Sequence, residues 1–207
     1  MEMDRSENKK IGIFGGTFDP IHYGHLIIAE KAREEFELDF IIFIPAGIPP
    51  HKKKVYASPI DRKNMIEIAI KDNKYFKVSD IEILKKEKSY TYETVIWLKK
   101  EYPNSDFFLI VGEDSFYDIP NWYKANELVK EVIFLVARRS NKIDISTNFQ
   151  INYRIINSPF IDISSTYIRS CIFENKSVKY LIPDEVIDYI KKKGLYYGRE
   201  NYCKCGK

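Results

Sequence analysis

The chain has 207 residues, of which 44% are hydrophobic and 30% are charged, and this ordinary composition excludes a disordered protein. The formal net charge is only +3, which is too small to indicate binding to nucleic acid or to a membrane surface. Such a balance suits small anionic ligands, provided that the positive charge is concentrated in a cleft.

The cysteines and the N-terminal segment indicate a cytoplasmic protein. The chain holds three cysteines, Cys171, Cys203 and Cys205, which form no disulfide framework. The N-terminal stretch is polar and lacks an apolar signal core, and no apolar run approaches the length that spans a bilayer. We expect no metal at the Cys203–Cys205 tail, because a structural zinc site needs more ligands than this tail offers.

Short apolar runs alternate with helical patterns along the chain. In chain order they predict a strand at 10–14, a helix at 23–37, a strand at 40–45, a helix at 58–70, a strand at 75–80, a helix at 90–101, a strand at 106–112, an aromatic loop, a helix at 123–130, strands at 132–137 and 153–157, and helices at 164–173 and 183–194. Ser58 is a helix cap followed by Pro59, and Gly194 ends the last helix.

This alternation predicts an α/β fold, a Rossmann-like, doubly wound, mostly parallel sheet with helices on both faces. In such a sheet the ligand crevice lies at the carboxyl ends of the strands, where the strand order reverses. We expect a single domain over 1–207, with flexible ends at 1–9 and about 199–207.

The stretch "GIFGGTFDPIHYGHL" is the strongest local signal for a ligand site. Gly12, Gly15 and Gly16 lie in and just after the first strand and let backbone N–H groups approach an anion. His22 and His25 are three residues apart at the start of a helix, so their imidazoles point to one side. A tight turn or a His-x-x-His metal site remain the alternatives, and neither a Walker motif nor G-x-G-x-x-G occurs.

Two separated motifs resemble the nucleotidyltransferase superfamily. "GGTFDPIHYGHL" is similar to the signature of its adenylyltransferase branch, with the H-x-G-H element at His22, Gly24 and His25, and "ISSTYIR" at 163–169 resembles its second signature. The segments "PAGIPPHK", "SYTYETV", "VGEDSFYDIPNW" and "ARR" follow in the order found in bacterial nicotinate mononucleotide adenylyltransferases. The likeness covers nearly the whole chain.

The resemblance implies a nucleotidylyl transferase fold and the reaction of ATP with nicotinate mononucleotide, which gives nicotinate adenine dinucleotide and pyrophosphate in NAD biosynthesis. The attacking phosphate oxygen is already ionised near neutral pH, so no serine or cysteine nucleophile is needed. Mg²⁺ accompanies ATP through phosphate oxygens and water, without a dedicated protein site. The partners implied are these two substrates, without nucleic acid or membrane, and self-association into a homo-oligomer is allowed.

The resemblance also assigns roles on the ATP side of the site. His25 donates to the α-phosphoryl oxygen, His22 to the ATP phosphates, and Arg169 adds a charge-assisted contact. The expected ATP-binding residues are Gly15, Gly16, Thr17, Phe18, His51, Lys52, Gly112, Asp114, Arg138, Ile163, Ser164, Ser165 and Thr166. Without the first motif, the second would be an ordinary capped helix with a solvated arginine.

On the pyridine side, the resemblance and the sequence point to Thr91, Trp122 and Tyr123. Trp122 is expected to stack on the flat ring, although a core tryptophan is the alternative. Thr91 begins a helix whose N–H groups could bind the nicotinate carboxylate, although an ordinary N-cap is the alternative. We leave Glu113 out of the site, and we interpret Asp19 as a turn former before Pro20 rather than as a catalytic base.

Two further functions stay open from the sequence alone. One is adenylyl transfer to another phosphate acceptor, such as nicotinamide mononucleotide or phosphopantetheine. The other is a catalytically silent nucleotide-binding module, which would be expected to have lost His22, His25 or Arg169. All three are present.

Overall fold

A central parallel sheet organises the protein, for which a computed structural model describes residues 8–48, 54–85, 87–138 and 149–198. The strands are β1 (Lys10–Gly16), β2 (Phe40–Pro45), β3 (Phe76–Val78), β4 (Asp106–Gly112), β5 (Ile133–Ala137) and β6 (Tyr153–Ile156). Within the described residues they form a six-stranded sheet in the order β3-β2-β1-β4-β5-β6, and every pair of neighbours is parallel. The strand order reverses between β1 and β4, which makes their carboxyl ends the expected ligand crevice.

Helices cover both faces of the sheet. They are α1 (Tyr23–Phe36), α2 (Pro59–Ile70), α3 (Thr91–Glu101), α4 (Glu113–Asp118), α5 (Ala125–Glu131), α6 (Ser165–Phe173) and α7 (Asp184–Lys193). Buried side chains of α1, α2, α6 and α7 join one apolar cluster, and those of α3, α4 and α5 join the other. The prediction of a doubly wound α/β fold is therefore confirmed, with a wholly parallel rather than a mostly parallel described sheet.

Local signals explain several element ends. The Ser58 hydroxyl accepts a 3.1 Å hydrogen bond from the Asp61 N–H, and Pro59 occupies the first turn of α2, as the sequence predicts. Gly194 ends α7 with a φ of 63°, a left-handed conformation that glycine adopts without a Cβ penalty. None of the described helices is long and apolar enough to cross a membrane.

The structure corrects two sequence-based expectations about local structure. The segment after β4, expected to be an aromatic loop, forms α4 and a 3₁₀ turn (Ile119–Asn121), because Phe116 and Ile119 share one buried side. Gly12 does not serve an anion. A Cβ there would lie 2.8 Å from Ile41 Cγ1, so Gly12 instead permits close side-chain packing inside the sheet.

Candidate active site

The two motifs that lie at opposite ends of the sequence meet in the structure. Arg169 Nη1 donates a 2.7 Å hydrogen bond to the main-chain oxygen of Asp19. The Ser165 hydroxyl donates a 2.8 Å hydrogen bond to the main-chain oxygen of Pro20. The turn after β1 and the first turn of α6 are thus joined directly, as two walls of one region.

The histidine pair sits at the first turn of α1. His22 is the N-cap residue, and its ring is stacked on that of His25, with ring centroids 3.6 Å apart and planes at 24°. The main-chain N–H of His22 donates to His25 Nδ1 at 3.3 Å. Because Nδ1 accepts this hydrogen bond, the neutral His25 ring carries its own proton on Nε2, which is then its donor. His22 is only 6% exposed, whereas His25 is partly exposed, so His25 is the better placed to meet a phosphate.

Glycines make room for this pair. A Cβ on Gly24 would lie 2.9 Å from His22 Nδ1, so the glycine between the histidines permits the stacked arrangement. A Cβ on Gly15 would meet nothing within 4 Å, because the end of β1 borders open space. The backbone at Gly15 therefore lies open to a ligand, whereas a Cβ on Gly16 would lie 3.0 Å from the Phe18 ring.

Phe18 is only 2% exposed, so the prediction that it lines the nucleotide crevice can concern only its main chain. Its ring packs edge-on against the rings of Phe14 and His25, with centroid-to-centroid distances of 5.6 Å and 4.9 Å. Phe18 packs against the His25 imidazole from the core, because its apolar ring gains free energy from burial.

Both carboxylate oxygens of Asp19 accept hydrogen bonds from other parts of the protein. Oδ1 accepts hydrogen bonds from the Ala57 N–H at 3.0 Å and from the Tyr196 hydroxyl at 2.8 Å. Oδ2 accepts from the Tyr56 N–H at 2.8 Å. A carboxylate that is 3% exposed and holds three protein donors is a structural anchor, which agrees with its interpretation as a turn former.

Arg62 is a site-supporting residue that the sequence reasoning missed. Its guanidinium is 1% exposed and donates to the main-chain oxygens of Thr17 at 2.8 Å and Ala46 at 2.6 Å. Burial lowers the pKa of Arg62, and the nearby Asp19 charge opposes that shift. The available signal was its spacing from Met65 and Ile66, which places it on the buried stripe of α2.

The second motif is partly committed to protein contacts. The Ser164 hydroxyl caps α6 by accepting from the Tyr167 N–H at 3.1 Å, and the Thr166 hydroxyl accepts from Arg169 Nη2 at 3.1 Å. Ser165 departs from the expectation, because its hydroxyl proton already goes to Pro20. Ser165 and Thr166 lie in the first turn of α6, where no preceding helical turn supplies carbonyl acceptors for their N–H groups. These N–H groups are therefore suited to bind an anion. Ile163 packs against the core.

A cavity of about 400 Å³ opens at the carboxyl ends of β1 and β4. It brings together predicted residues of both substrate sides, namely Gly15, Gly16, Thr17, Thr91, Gly112, Trp122 and Tyr123. Thr91 is the first residue of α3 rather than its cap, which is Tyr90. The rings of Tyr90 and Tyr123 pair at 4.5 Å beside the cavity. An apolar cavity with a few polar groups at its wall is typical of a site for a flat organic ligand.

Glu82 is a second residue that the sequence reasoning missed, and it lines the cavity. Its carboxylate is buried and accepts a 2.8 Å hydrogen bond from the Thr94 hydroxyl. Burial raises the pKa of Glu82, although Thr94 and the charges of Lys85 and Arg62 oppose the shift. No motif indicated it, because its place in the wall depends on the segment after β3, whose main chain at Glu82 packs against Gly47.

Other predicted residues lie outside this cavity or outside the described chain. Asp114, an expected ATP-binding residue, is exposed in the first turn of α4 and does not line the cavity. Arg138 directly follows β5 and is half-buried. His51 and Lys52 lie outside the described residues. Glu113, which was left out of the site, is absent from the cavity wall.

The chain is similar to known proteins over most of its length. Residues 13–171 match the family described as cytidylyltransferase-like. Probable nicotinate-nucleotide adenylyltransferases from Exiguobacterium sibiricum and Desulfitobacterium hafniense are 39% and 42% identical, over 90% and 91% of this chain and 98% and 96% of theirs. The solved Plasmodium falciparum nicotinic acid mononucleotide adenylyltransferase complexed with NaAD superposes with a TM-score of 0.79 at 29% identity, covering 91% of this chain and 98% of that one.

Proposed function

The chain belongs to the nicotinate-nucleotide adenylyltransferase family, and from this premise we propose a role for each residue of the site. The enzyme transfers the adenylyl group of ATP to nicotinate mononucleotide and releases pyrophosphate. The observation that carries the assignment of residues is the contact between the two motifs through Arg169 and Asp19. Neither residue lines the cavity, but Gly15, Gly16 and Thr17, which lead to Asp19 in the same turn, do.

The reaction joins two anions, so positioning and charge stabilisation supply most of the catalysis. An oxygen of the acceptor phosphate forms a bond to the α-phosphorus of ATP, and the bond from that phosphorus to the α–β bridging oxygen breaks. No general base is required, because the attacking phosphate is already ionised. The fully engaged carboxylate of Asp19 is consistent with a site that uses donors and cations instead.

On the ATP side, His25 donates from Nε2 to the α-phosphoryl oxygen as charge develops there. His22 supports that ring by stacking and contributes to the phosphate environment. The first-turn N–H groups of α6, the Ser164 hydroxyl and Arg169 hold the β- and γ-phosphates. Two of the five N–H donors of Arg169 are used by Asp19 and Thr166, which leaves others for phosphate.

On the acceptor side, the Trp122 indole stacks on the pyridine ring within the cavity, and the first turn of α3 receives the nicotinate carboxylate. The Thr91 hydroxyl and the N–H groups beside it supply hydrogen-bond donors, and the helix dipole favours the negative charge. Tyr123, paired with Tyr90 at the cavity, closes one side of this subsite.

Mg²⁺ enters with ATP and is held by phosphate oxygens and water. Phosphate oxygens and water are the ligands that Mg²⁺ prefers, so the triphosphate itself can hold the cation. Bound in this way, the cation neutralises part of the charge of the triphosphate. His51 and Lys52, which lie outside the described residues, remain proposed phosphate ligands by resemblance.

Pyrophosphate release from purified protein tests the acceptor. ATP and Mg²⁺ are supplied with nicotinate mononucleotide, nicotinamide mononucleotide or phosphopantetheine in turn, at equal concentrations. We expect the highest kcat/KM with nicotinate mononucleotide. A preference for phosphopantetheine, or release with none of the three, would overturn the assignment.

A further inference from the structure

A tyrosine beyond the last helix reaches the turn that follows β1. Tyr196 is 4% exposed, and its hydroxyl donates a 2.8 Å hydrogen bond to Asp19 Oδ1 across 177 positions of sequence. Burial and the Asp19 charge raise the pKa of Tyr196, so its hydroxyl keeps its proton and remains a donor throughout neutral pH. The end of the described chain is therefore tied to the first motif.

Asp19 in turn holds Arg169 in two ways. Its main-chain oxygen accepts the 2.7 Å hydrogen bond from Arg169 Nη1. Its Oδ2 accepts a hydrogen bond from the Tyr56 N–H. The Arg169 guanidinium lies over the Tyr56 ring in a cation–π contact, with Cζ 4.5 Å from the ring centroid. Besides the Thr166 hydroxyl, which accepts from Nη2, both of these supports of the guanidinium depend on Asp19, whose carboxylate accepts three hydrogen bonds.

The Tyr196 hydroxyl is the side-chain donor among those three. The other two come from the main-chain N–H groups of Tyr56 and Ala57, which belong to one short segment before α2. Without the hydroxyl, the carboxylate is held from that segment alone and can rotate toward it. Such a rotation would alter the hydrogen bond from the Tyr56 N–H, and with it the placement of the Tyr56 ring against the guanidinium.

We propose that Tyr196 is a positioning residue, which acts through Asp19 to hold Arg169 in the place where it meets the ATP phosphates. The inference rests on the proposed role of Arg169 and extends it to a residue far from the substrate cavity. Tyr196 is not among the residues that line the cavity around Thr91 and Trp122. Its effect is therefore expected on the ATP side of the reaction only.

Steady-state kinetics of Tyr196→Phe test the proposal. Each substrate is varied at saturating concentration of the other, at a temperature well below the unfolding midpoint of every variant. We expect kcat/KM for ATP to fall by about tenfold or more, since small displacements of a positioning group are costly. KM for nicotinate mononucleotide should stay within about twofold. Replacement by 4-aminophenylalanine, which keeps a donor at the same place, should restore most of the loss.

Tyr189→Phe is the matched control. The Tyr189 hydroxyl also bridges distant parts of the fold, because it donates to Asp61 at 2.9 Å and accepts from Asn64 at 2.9 Å. Removing it should lower the unfolding midpoint without selective loss for ATP. A Tyr196→Phe variant that behaves like this control, or that weakens both substrates equally, contradicts the proposal.

A double-mutant cycle with Arg169→Lys decides whether the effect passes through Arg169. We expect Tyr196→Phe to cost little further kcat/KM for ATP in the Arg169→Lys background, and additive losses would contradict the proposal. The proposed function is tested separately by the wild-type turnover of nicotinate mononucleotide. If that turnover fails, calorimetric titration with ATP still tests Tyr196, because Tyr196→Phe should bind ATP more weakly than Tyr189→Phe.

Discussion

Arg169 Nη1 lies 2.7 Å from the main-chain oxygen of Asp19, a residue 150 positions earlier in the chain. This hydrogen bond connects α6 to the turn that leads from β1 to the histidine pair. Together with the bond from Ser165 to Pro20, it fixes the two motifs relative to each other before any ligand binds. A polyphosphate bound there meets a preorganised set of donors, which is the main requirement for stabilising charge in transfer reactions.

Replacing His25 by Ala should lower kcat by about 100-fold or more, because it removes the donor assigned to the α-phosphoryl oxygen. The midpoint of thermal unfolding should change little, since His25 is partly exposed at the first turn of α1. Pyrophosphate release and thermal melts of the same preparation measure both quantities. An unchanged kcat would remove His25 from the mechanism.

Replacing Gly24 by Ala should displace the His22 ring. The added methyl group would lie 2.9 Å from His22 Nδ1, and the ring cannot retreat without leaving its stacked place on His25. We expect a lower kcat with little change in KM for nicotinate mononucleotide. Gly15→Ala is the control for unfolding stability, because its methyl group would meet open space. Wild-type kcat in Gly24→Ala would show that the stacked pair is dispensable.

Replacing Trp122 by Leu should raise KM for nicotinate mononucleotide by about tenfold, a loss equivalent to about 1.4 kcal/mol of stacking and contact area. KM for ATP should stay near the wild-type value. Trp97→Leu is the matched control, because Trp97 is half-exposed on α3 and does not line the cavity. Equal effects of the two substitutions on the acceptor KM would place the pyridine ring elsewhere.

The free energy of unfolding should depend on pH through Glu82. Burial raises the pKa of Glu82 above its unfolded value, so the folded state binds the proton more tightly. Stability contributed by the protonated carboxyl is therefore complete below the unfolded pKa and declines as pH rises through the folded pKa. Glu82→Gln lacks this decline, so its stability relative to the wild type should improve from acidic toward neutral pH.

Urea unfolding of both proteins at several pH values measures that difference. Thr94→Val provides a check in the opposite direction, because the Thr94 hydrogen bond lowers the pKa of Glu82. Without that bond the decline should extend to higher pH. Parallel profiles for the wild type and Glu82→Gln would mean that Glu82 ionises alike in the folded and unfolded chains.

Continuous apolar runs with clear ends made most of the sheet predictable. β2 and β4 occupy the predicted residues because each run stops at a residue that breaks the pattern, Pro45 or Gly112. The α4 segment was missed because six residues are too few to establish a helical period, and tertiary burial of Phe116 stabilises it. Strand β3 is shorter than predicted, with only Phe76–Val78 in the sheet.

The site was predictable where a motif carried it and not where a distant contact did. The motifs predicted that His25 and Arg169 serve one site, and the bond from Arg169 to Asp19 agrees with that expectation. Arg62 donates to the main chain of Thr17, and Tyr196 donates to the side chain of Asp19, both far away in sequence. The local sequence around Arg62 and Tyr196 gives no indication of these partners. The burial of the Phe18 ring was not predicted, and its φ of 49° is a backbone conformation that the sequence alone does not indicate.

A crystal structure of the protein with Mg²⁺ and a non-hydrolysable ATP analogue tests most directly whether the two motifs bind one polyphosphate. The phosphates should lie between His25 and the first turn of α6, within hydrogen-bonding distance of both. Phosphates that contact only one of these elements, or that bind at another surface, would contradict the shared site.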